Sequence, residues 1–285
     1  MNPTLDWVSR AQKPSGGISA WRTTEGWGPE YPEITGYFIP TLLKYGEIEM
    51  ATRAADWLCS VQFENGMFPN LHGLPAVFDT GAATEGLKAI HGLTLEKKYK
   101  KGLVLAKSQL RPRLLAYKYK SEPPVLARGQ GVMGMAPDAA MEWDTKHWFG
   151  YVRSHYLAYW LEGLYRMGVP SATILSHHME GLVLSDEELI QYEYARGWVP
   201  LKRIGGDICA TLQFSWLLSL LFHDTDAEGM QAQIPNRLFD TASHYVQEDG
   251  GVPLSPSHPD KSYSWGAKYY LDAAFALKGR HAFAP

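Results

Sequence analysis

The sequence predicts an all-α fold, one domain over residues 1–285, in which helical hairpins repeat and close into a ring. Three observations carry this. Apolar residues recur at three- and four-residue spacing along most of the chain, as in Met50, Ala54, Trp57, Leu58 and Val61. An outer-helix signature returns after about fifty residues: Asp6-Trp7 precedes Gln12 and Gly16-Gly17, and Asp56-Trp57 precedes Gln62 and Gly66 at the same spacing. Each copy is followed by a loop and an inner-type helix. One of these is built of small residues, Gly81-Ala82-Ala83 and Gly86, which let helix axes approach closely.

The elements follow in order. Pro3 to Gln12 carries Leu5, Trp7 and Val8 on a helical pattern and stops at Pro14-Ser15-Gly16-Gly17. After a loop rich in Gly and aromatics, Pro32-Glu33 opens a helix over Ile34 to Tyr45, closed by Gly46 and expected to kink at Pro40. The next outer helix spans Ile48 to Gln62 and the next inner one Thr80 to His91. The Gln at each outer-helix end can tie its amide to backbone where Gly makes the turn. Lys97 to Lys120 is a basic run, read as a solvated outer helix, with an anionic-polymer site as the other option. Arg128-Gly129-Gln130-Gly131 is too short for a phosphate loop. Tyr151 to Met167, Gly206 to Phe222 and Tyr263 to Leu277 are further inner-type helices; Ala172 to Tyr194 reads as outer. Tyr245 to Pro253, with Gln247, is a third copy of the signature without its Trp, and Gln191 to Trp198 is a looser fourth.

Bulk properties narrow the function. The formal charge of −3 argues against nucleic-acid binding. Cys59 and Cys209 lie inside apolar helical patterns, so buried thiols are expected and a disulfide or metal framework is not. The N-terminus lacks a secretory pattern, and the apolar core from Phe214 to Phe222 is too short to span a bilayer. A soluble cytoplasmic protein without membrane insertion is expected. Its 10 Trp and 16 Tyr fit an aromatic-lined cleft, or a Trp-rich core.

The outer-helix Trp and Gln-x-x-x-Gly copies resemble the α/α-toroid superfamily, in particular the glutamine–tryptophan repeats of terpenoid cyclases and related toroids. Tyr31-Pro32-Glu33-Ile34-Thr35-Gly36-Tyr37, Val77-Phe78-Asp79-Thr80-Gly81 and Arg153-Ser154-His155-Tyr156 through Leu164 look more like toroid proteins of bacterial surface-polysaccharide gene clusters. Ser264-Trp265-Gly266-Ala267-Lys268 through Ala273 matches their last inner helix. The resemblance implies an α/α toroid of about five to six hairpins, an architecture shared with six-hairpin glycosidases and polysaccharide lyases. It also implies a site at the ring mouth, formed by the loops before the inner helices.

Candidate groups there are Asp79, Asp144, His147, Arg153 and His155 for catalysis. For saccharide binding they are Trp21, Trp27, Tyr31, Glu33, Phe78, Trp148, Tyr151, Arg203, Asp207, Tyr263, Trp265 and Lys268. A glycoside hydrolase needs two carboxyl groups flanking one bond, here Asp144 and Asp79 as acid and base. His147 and Arg153 would handle substrate charge. A lyase needs a base and a cation for the uronate carboxylate, which His147 or His155 with Arg153, or Tyr151, could supply. Bland roles compete: Asp79 and Asp207 as helix caps, Glu33 as a dipole partner, Arg153 with Glu162 as a buried pair. His177-His178 lies on an outer helix and is set aside.

The expected function is a carbohydrate-active enzyme of bacterial polysaccharide metabolism that hydrolyses an acidic or uronate-containing glycan. β-Elimination, glycan binding without turnover and isoprenoid chemistry are the alternatives. The last is weakened because neither Asp-x-Asp-Asp nor Asp-Asp-x-x-Asp occurs. No cofactor and no metal site are expected. A saccharide is the expected partner, and oligomeric state is left open.

Overall fold

The computed structural model describes residues 2–116, 151–171, 173–174, 189–195, 199–201, 205–223 and 230–281. Asp144, His147, Trp148 and Arg203 lie outside the described residues. The chain forms two compact units, one of Leu5–Glu122 and one of Asn2–Thr4 with Pro123–Pro285.

In the first unit, helices α1 (Pro3–Ala11), α3 (Ile48–Val61) and α5 (Lys97–Ala116) are the outer type, and α2 (Pro32–Lys44) and α4 (Val77–Thr94) the inner type. The inner helix α2 packs on both α3 and α4, and α4 packs on α5. Helix α5 confirms the reading of the basic run: Tyr99, Ala106 and Leu110 are buried on one face while Lys97, Lys98, Lys100 and Lys101 face solvent. Small residues set the α2–α4 contact, because a Cβ on Gly36 would lie 2.4 Å from the Ala82 carbonyl. Pro40 sits within α2 and lacks the N–H that would bond the Gly36 carbonyl. Gly86 packs against that same carbonyl oxygen, 2.7 Å from where its Cβ would be.

The repeat has a mechanical basis. Gln12 Nε2 donates to the carbonyls of Gly16 and Met50, both at 2.9 Å. Gln62 Nε2 donates to Gly66 at 3.0 Å and Gly102 at 2.9 Å. Each Gln therefore closes its own turn and binds that turn to the next outer helix. The turn glycines need a positive φ, +106° at Gly16 and +85° at Gly66. They also need no side chain, since a Cβ would meet the Arg53 carbonyl at 2.3 Å and the Leu105 carbonyl at 2.6 Å.

In the second unit, the inner-type helices are α6 (Ser154–Arg166), α7 (Ile208–His223) and α9 (Ser264–His281), with α8 (Met230–Ser243) packed on α7 and α9. Helix α7 is buried almost all round, from Ile208 to Ser219, so it needs no polar face. The third copy of the turn is present. Gly250 donates to Gln247 and Gln247 to Gly251, as Gly16 does to Lys13 and Lys13 to Gly17. This alignment places Val246, not Gln247, at the position of Gln12 and Gln62. Gln247 instead donates to the Pro259 carbonyl and accepts from Ser262.

One expected helix ends differently. The sequence pattern predicts an outer helix over Ala172 to Tyr194, but Glu193–Ala195 is a strand, paired with Tyr151–Arg153 on one side and Val199–Pro200 on the other. Cys59 and Cys209 are free thiols. Among the described residues no helix is long and apolar enough to cross a membrane.

Candidate active site

The N-termini of the inner helices are set by a shared main-chain latch. The Ile18 N–H donates to Thr35 Oγ1 at 2.9 Å, the Phe68 N–H to Thr80 Oγ1 at 2.9 Å, and the Ile190 N–H to Thr211 Oγ1 at 3.0 Å. Each Thr is the fourth residue after its helix cap. Thr80 and Thr211 also donate to the cap carbonyls of Ala76 and Asp207, both at 2.6 Å. The latch thus fixes where the cap and the next three residues stand. Those positions hold Tyr31 and Glu33 on α2, Phe78 and Asp79 on α4, and Asp207 on α7. Helix α6, whose start carries Arg153 and His155, has no such Thr, and there the Ser154 N–H donates to the Tyr192 carbonyl at 3.1 Å.

In the first unit the latch brings Tyr31, Glu33 and Asp79 together. All three are buried, at 7%, 4% and 4% exposure. Tyr31 is hydrogen-bonded to Asp79 and to Glu33. Burial, reinforced by the two carboxylates, pushes the Tyr31 phenol far above its usual range, so it stays a proton donor. Burial also pushes the Asp79 carboxyl up to about 6, against the lowering effect of the bonds from Tyr31 and its own backbone N–H. Asp79 is not the helix cap. Helix α4 starts two residues before it, after Ala76, because Pro75–Ala76 pairs as a strand with Phe68–Pro69 and delivers extended backbone to the helix start. One Asp79 oxygen, Oδ1, is buried with no hydrogen-bond partner among the described residues. Phe78 stands edge-on to Tyr37 with centroids 6.3 Å apart. Trp21 covers Gly28, and Trp27 meets Trp7 edge-on at 4.8 Å with the Arg22 guanidinium 5.6 Å over its ring.

In the second unit Arg153, His155 and Asp207 gather with residues that sequence reasoning passed over: Tyr156, Tyr159, Tyr192 and Glu193. Arg153 pairs with Glu193 at 3.5 Å and lies 5.8 Å over each of the Tyr156 and Tyr192 rings. Glu162 pairs instead with Arg166 at 2.8 Å, so the expected Arg153–Glu162 pair is replaced by two others. Asp207 does cap its helix, through Oδ1 on the Ala210 N–H at 2.8 Å. Its Oδ2 lies 3.8 Å from His155 Nδ1. Tyr151 contributes backbone to the strand beside this cluster, paired with Ala195. Tyr263 and Trp265 are neighbours, 6.0 Å between centroids, with the Lys261 ammonium 4.8 Å over Tyr263. Lys268, expected to meet a ligand, is 3% exposed. It is held by Asp272 at 3.0 Å and by the ring faces of Tyr269 and Trp216 at 3.9 and 4.6 Å, which makes it part of the core.

The fold that carries these clusters is the α/α toroid. Across solved structures the chain is similar to an unsaturated glucuronyl hydrolase specific for heparin, with a TM-score of 0.67 at 13% identity over 99% of this chain and 96% of that one. It is equally similar to the cellobiose 2-epimerase of Bacillus thermoamylovorans B4167, at 0.67 and 11% over 98% and 96%. An α-amylase from Clostridium perfringens aligns at 0.63 and 11% over 97% and 98%. At such identities the likeness is one of fold. No protein-family model matches the chain, and no curated protein matches it in sequence.

Proposed function

We propose that the chain is a carbohydrate-active enzyme that hydrolyses an acidic or uronate-containing saccharide, with residues 1–285 acting as one domain and Asp79 as proton donor. The observation that supports this most is the state of Asp79. A general acid must hold its proton near the working pH and release it in the transition state. Burial raises the Asp79 carboxyl to about 6, in that range. Hydrolysis needs a second carboxylate. Asp144, expected from the sequence to be the acid with Asp79 as base, is the proposed partner in the exchanged role, and Glu33 is the carboxylate that stands beside the same Tyr31.

The test is incubation with acidic polysaccharides and their oligomers, following reducing ends and unsaturated-uronate absorbance together for wild type and Asp79→Asn. New reducing ends without absorbance, lost in the variant, support the hydrolase. Both signals together overturn it in favour of β-elimination. Saturable binding without either signal overturns it in favour of a glycan-binding protein, and turnover undiminished in the variant removes Asp79 from the mechanism.

A further inference from the structure

We infer that Asp207 is a positioning residue that fixes the tautomer of His155, making His155 Nε2 a proton acceptor for a ligand hydroxyl in the second unit. The inference rests on the second unit alone and does not depend on which saccharide is turned over.

Three observations carry it. First, Asp207 does more than a cap requires. Its Oδ1 is used on the Ala210 N–H, yet Oδ2 is buried with no hydrogen-bond partner among the described residues, in a residue of 0% exposure. Capping alone is done as well by Ser or Asn, which would not leave a second carboxylate oxygen stranded from water. Second, what that oxygen faces is the imidazole, with His155 Nδ1 3.8 Å away. That distance is slightly long for a hydrogen bond, a state common before a ligand tightens the site. Third, the ring is braced. Tyr156, Tyr159 and Tyr192 stand around it, with centroids at 4.4, 6.1 and 5.7 Å. The two partners also differ in reach, since 21% of the His155 side chain is exposed and none of Asp207 is. A ligand can touch the imidazole but not the carboxylate behind it.

The chemistry follows. A carboxylate oxygen accepts only, so it selects the tautomer with hydrogen on Nδ1 and leaves the lone pair on Nε2. When a ligand hydroxyl meets Nε2, its O–H bond breaks, an Nε2–H bond forms and the oxygen keeps the electron pair. The positive charge created on the ring then faces the Asp207 carboxylate.

The test is side-chain nitrogen NMR of the full chain labelled with ¹⁵N-histidine, at about pH 9 where imidazoles are neutral, with the His155 signals assigned by their loss in His155→Gln. The wild type is expected to show a protonated Nδ1 and a bare Nε2. Asp207→Asn keeps an oxygen for the Ala210 cap but turns an amide N–H toward Nδ1, so the tautomer is expected to reverse while the melting temperature changes little. A wild-type His155 protonated on Nε2, or the same tautomer in both proteins, overturns the inference. On any saccharide that the wild type converts, Asp207→Asn should lower kcat by about 100-fold or more with little change in KM. A reversed tautomer with unchanged kcat would overturn the proton-acceptor role.

Discussion

The two units place opposite chemistries on the same backbone device. In the first, the latched helix starts carry a phenol and two carboxyl groups, and burial raises the Asp79 carboxyl to about 6. In the second, the helix starts carry a guanidinium, an imidazole and a carboxylate, with Arg153 paired to Glu193 and the His155 ring facing Asp207. The difference teaches that helix position alone does not set the role of an acid here. Asp79 and Asp207 are both buried at inner-helix starts, yet only Asp207 caps its helix and only Asp207 faces a base.

The largest expected effect breaks the first half of that contrast. Asp79→Asn should lower turnover of an acidic saccharide by about a thousandfold, the scale of a lost general acid. The same change should stabilise the fold above pH 6. The folded carboxyl titrates near 6 and the unfolded one near 3.8. Its favourable contribution is therefore full below the unfolded value and is lost as pH rises through the folded one. Thermal melts of the two proteins should converge near pH 4 and separate by pH 8, with the variant higher. If the wild type were instead the more stable at pH 8, the buried-acid account would fall.

Next in size is Tyr31→Phe. The Tyr31 hydrogen bond lowers the Asp79 value, so its loss should move the acid's midpoint above 6 and carry the alkaline limb of the rate profile upward with it. For a proton donor that limb falls as pH rises, so a limb that climbed through 6 would recast Asp79 as a base. The latches come third. Thr80→Val and Thr211→Val each leave a buried N–H unpaired and should cost about 1–3 kcal/mol by denaturant unfolding. Similar costs in both units are required, and a loss confined to one would mean the latch is not a shared device. The smallest effect separates the turns. Gln62→Ala, which removes two backbone bonds, should cost about 1–2 kcal/mol, and Gln247→Ala about 0.5 kcal/mol, because its bond to Pro259 is exposed.

The ring of hairpins was legible because Gln12 and Gln62 can reach two carbonyls only at a fixed distance from the turn glycine, so the spacing is written into the chain. The same regularity misled at Gln247, which stands four residues before Gly251, while the glycine that makes the turn is Gly250. The latch went unread although Thr35, Thr80 and Thr211 fall at one place in three inner helices, since a lone Thr inside a helix start carries no obvious signal. Tyr192 and Glu193 were hidden inside an expected helix whose end is a strand. Of the candidate groups, Tyr31, Glu33 and Asp79 come together in one unit, and Arg153, His155 and Asp207 in the other. Lys268 shows why placement near a helix start does not ensure exposure: its pairing with Asp272 one turn along draws it inward.

The latch has a consequence for how such a protein can change. In α2 and α4 the latch bonds that hold the helix start come from the Thr35 and Thr80 hydroxyls and main chain, whereas in α7 the cap side chain of Asp207 adds its own bond to the Ala210 N–H. In α2 and α4 the cap and the three residues after it can therefore be exchanged with little structural debt. A library varying positions 31, 33, 78 and 79 with Thr35 and Thr80 held constant would explore new reactions on an unaltered frame.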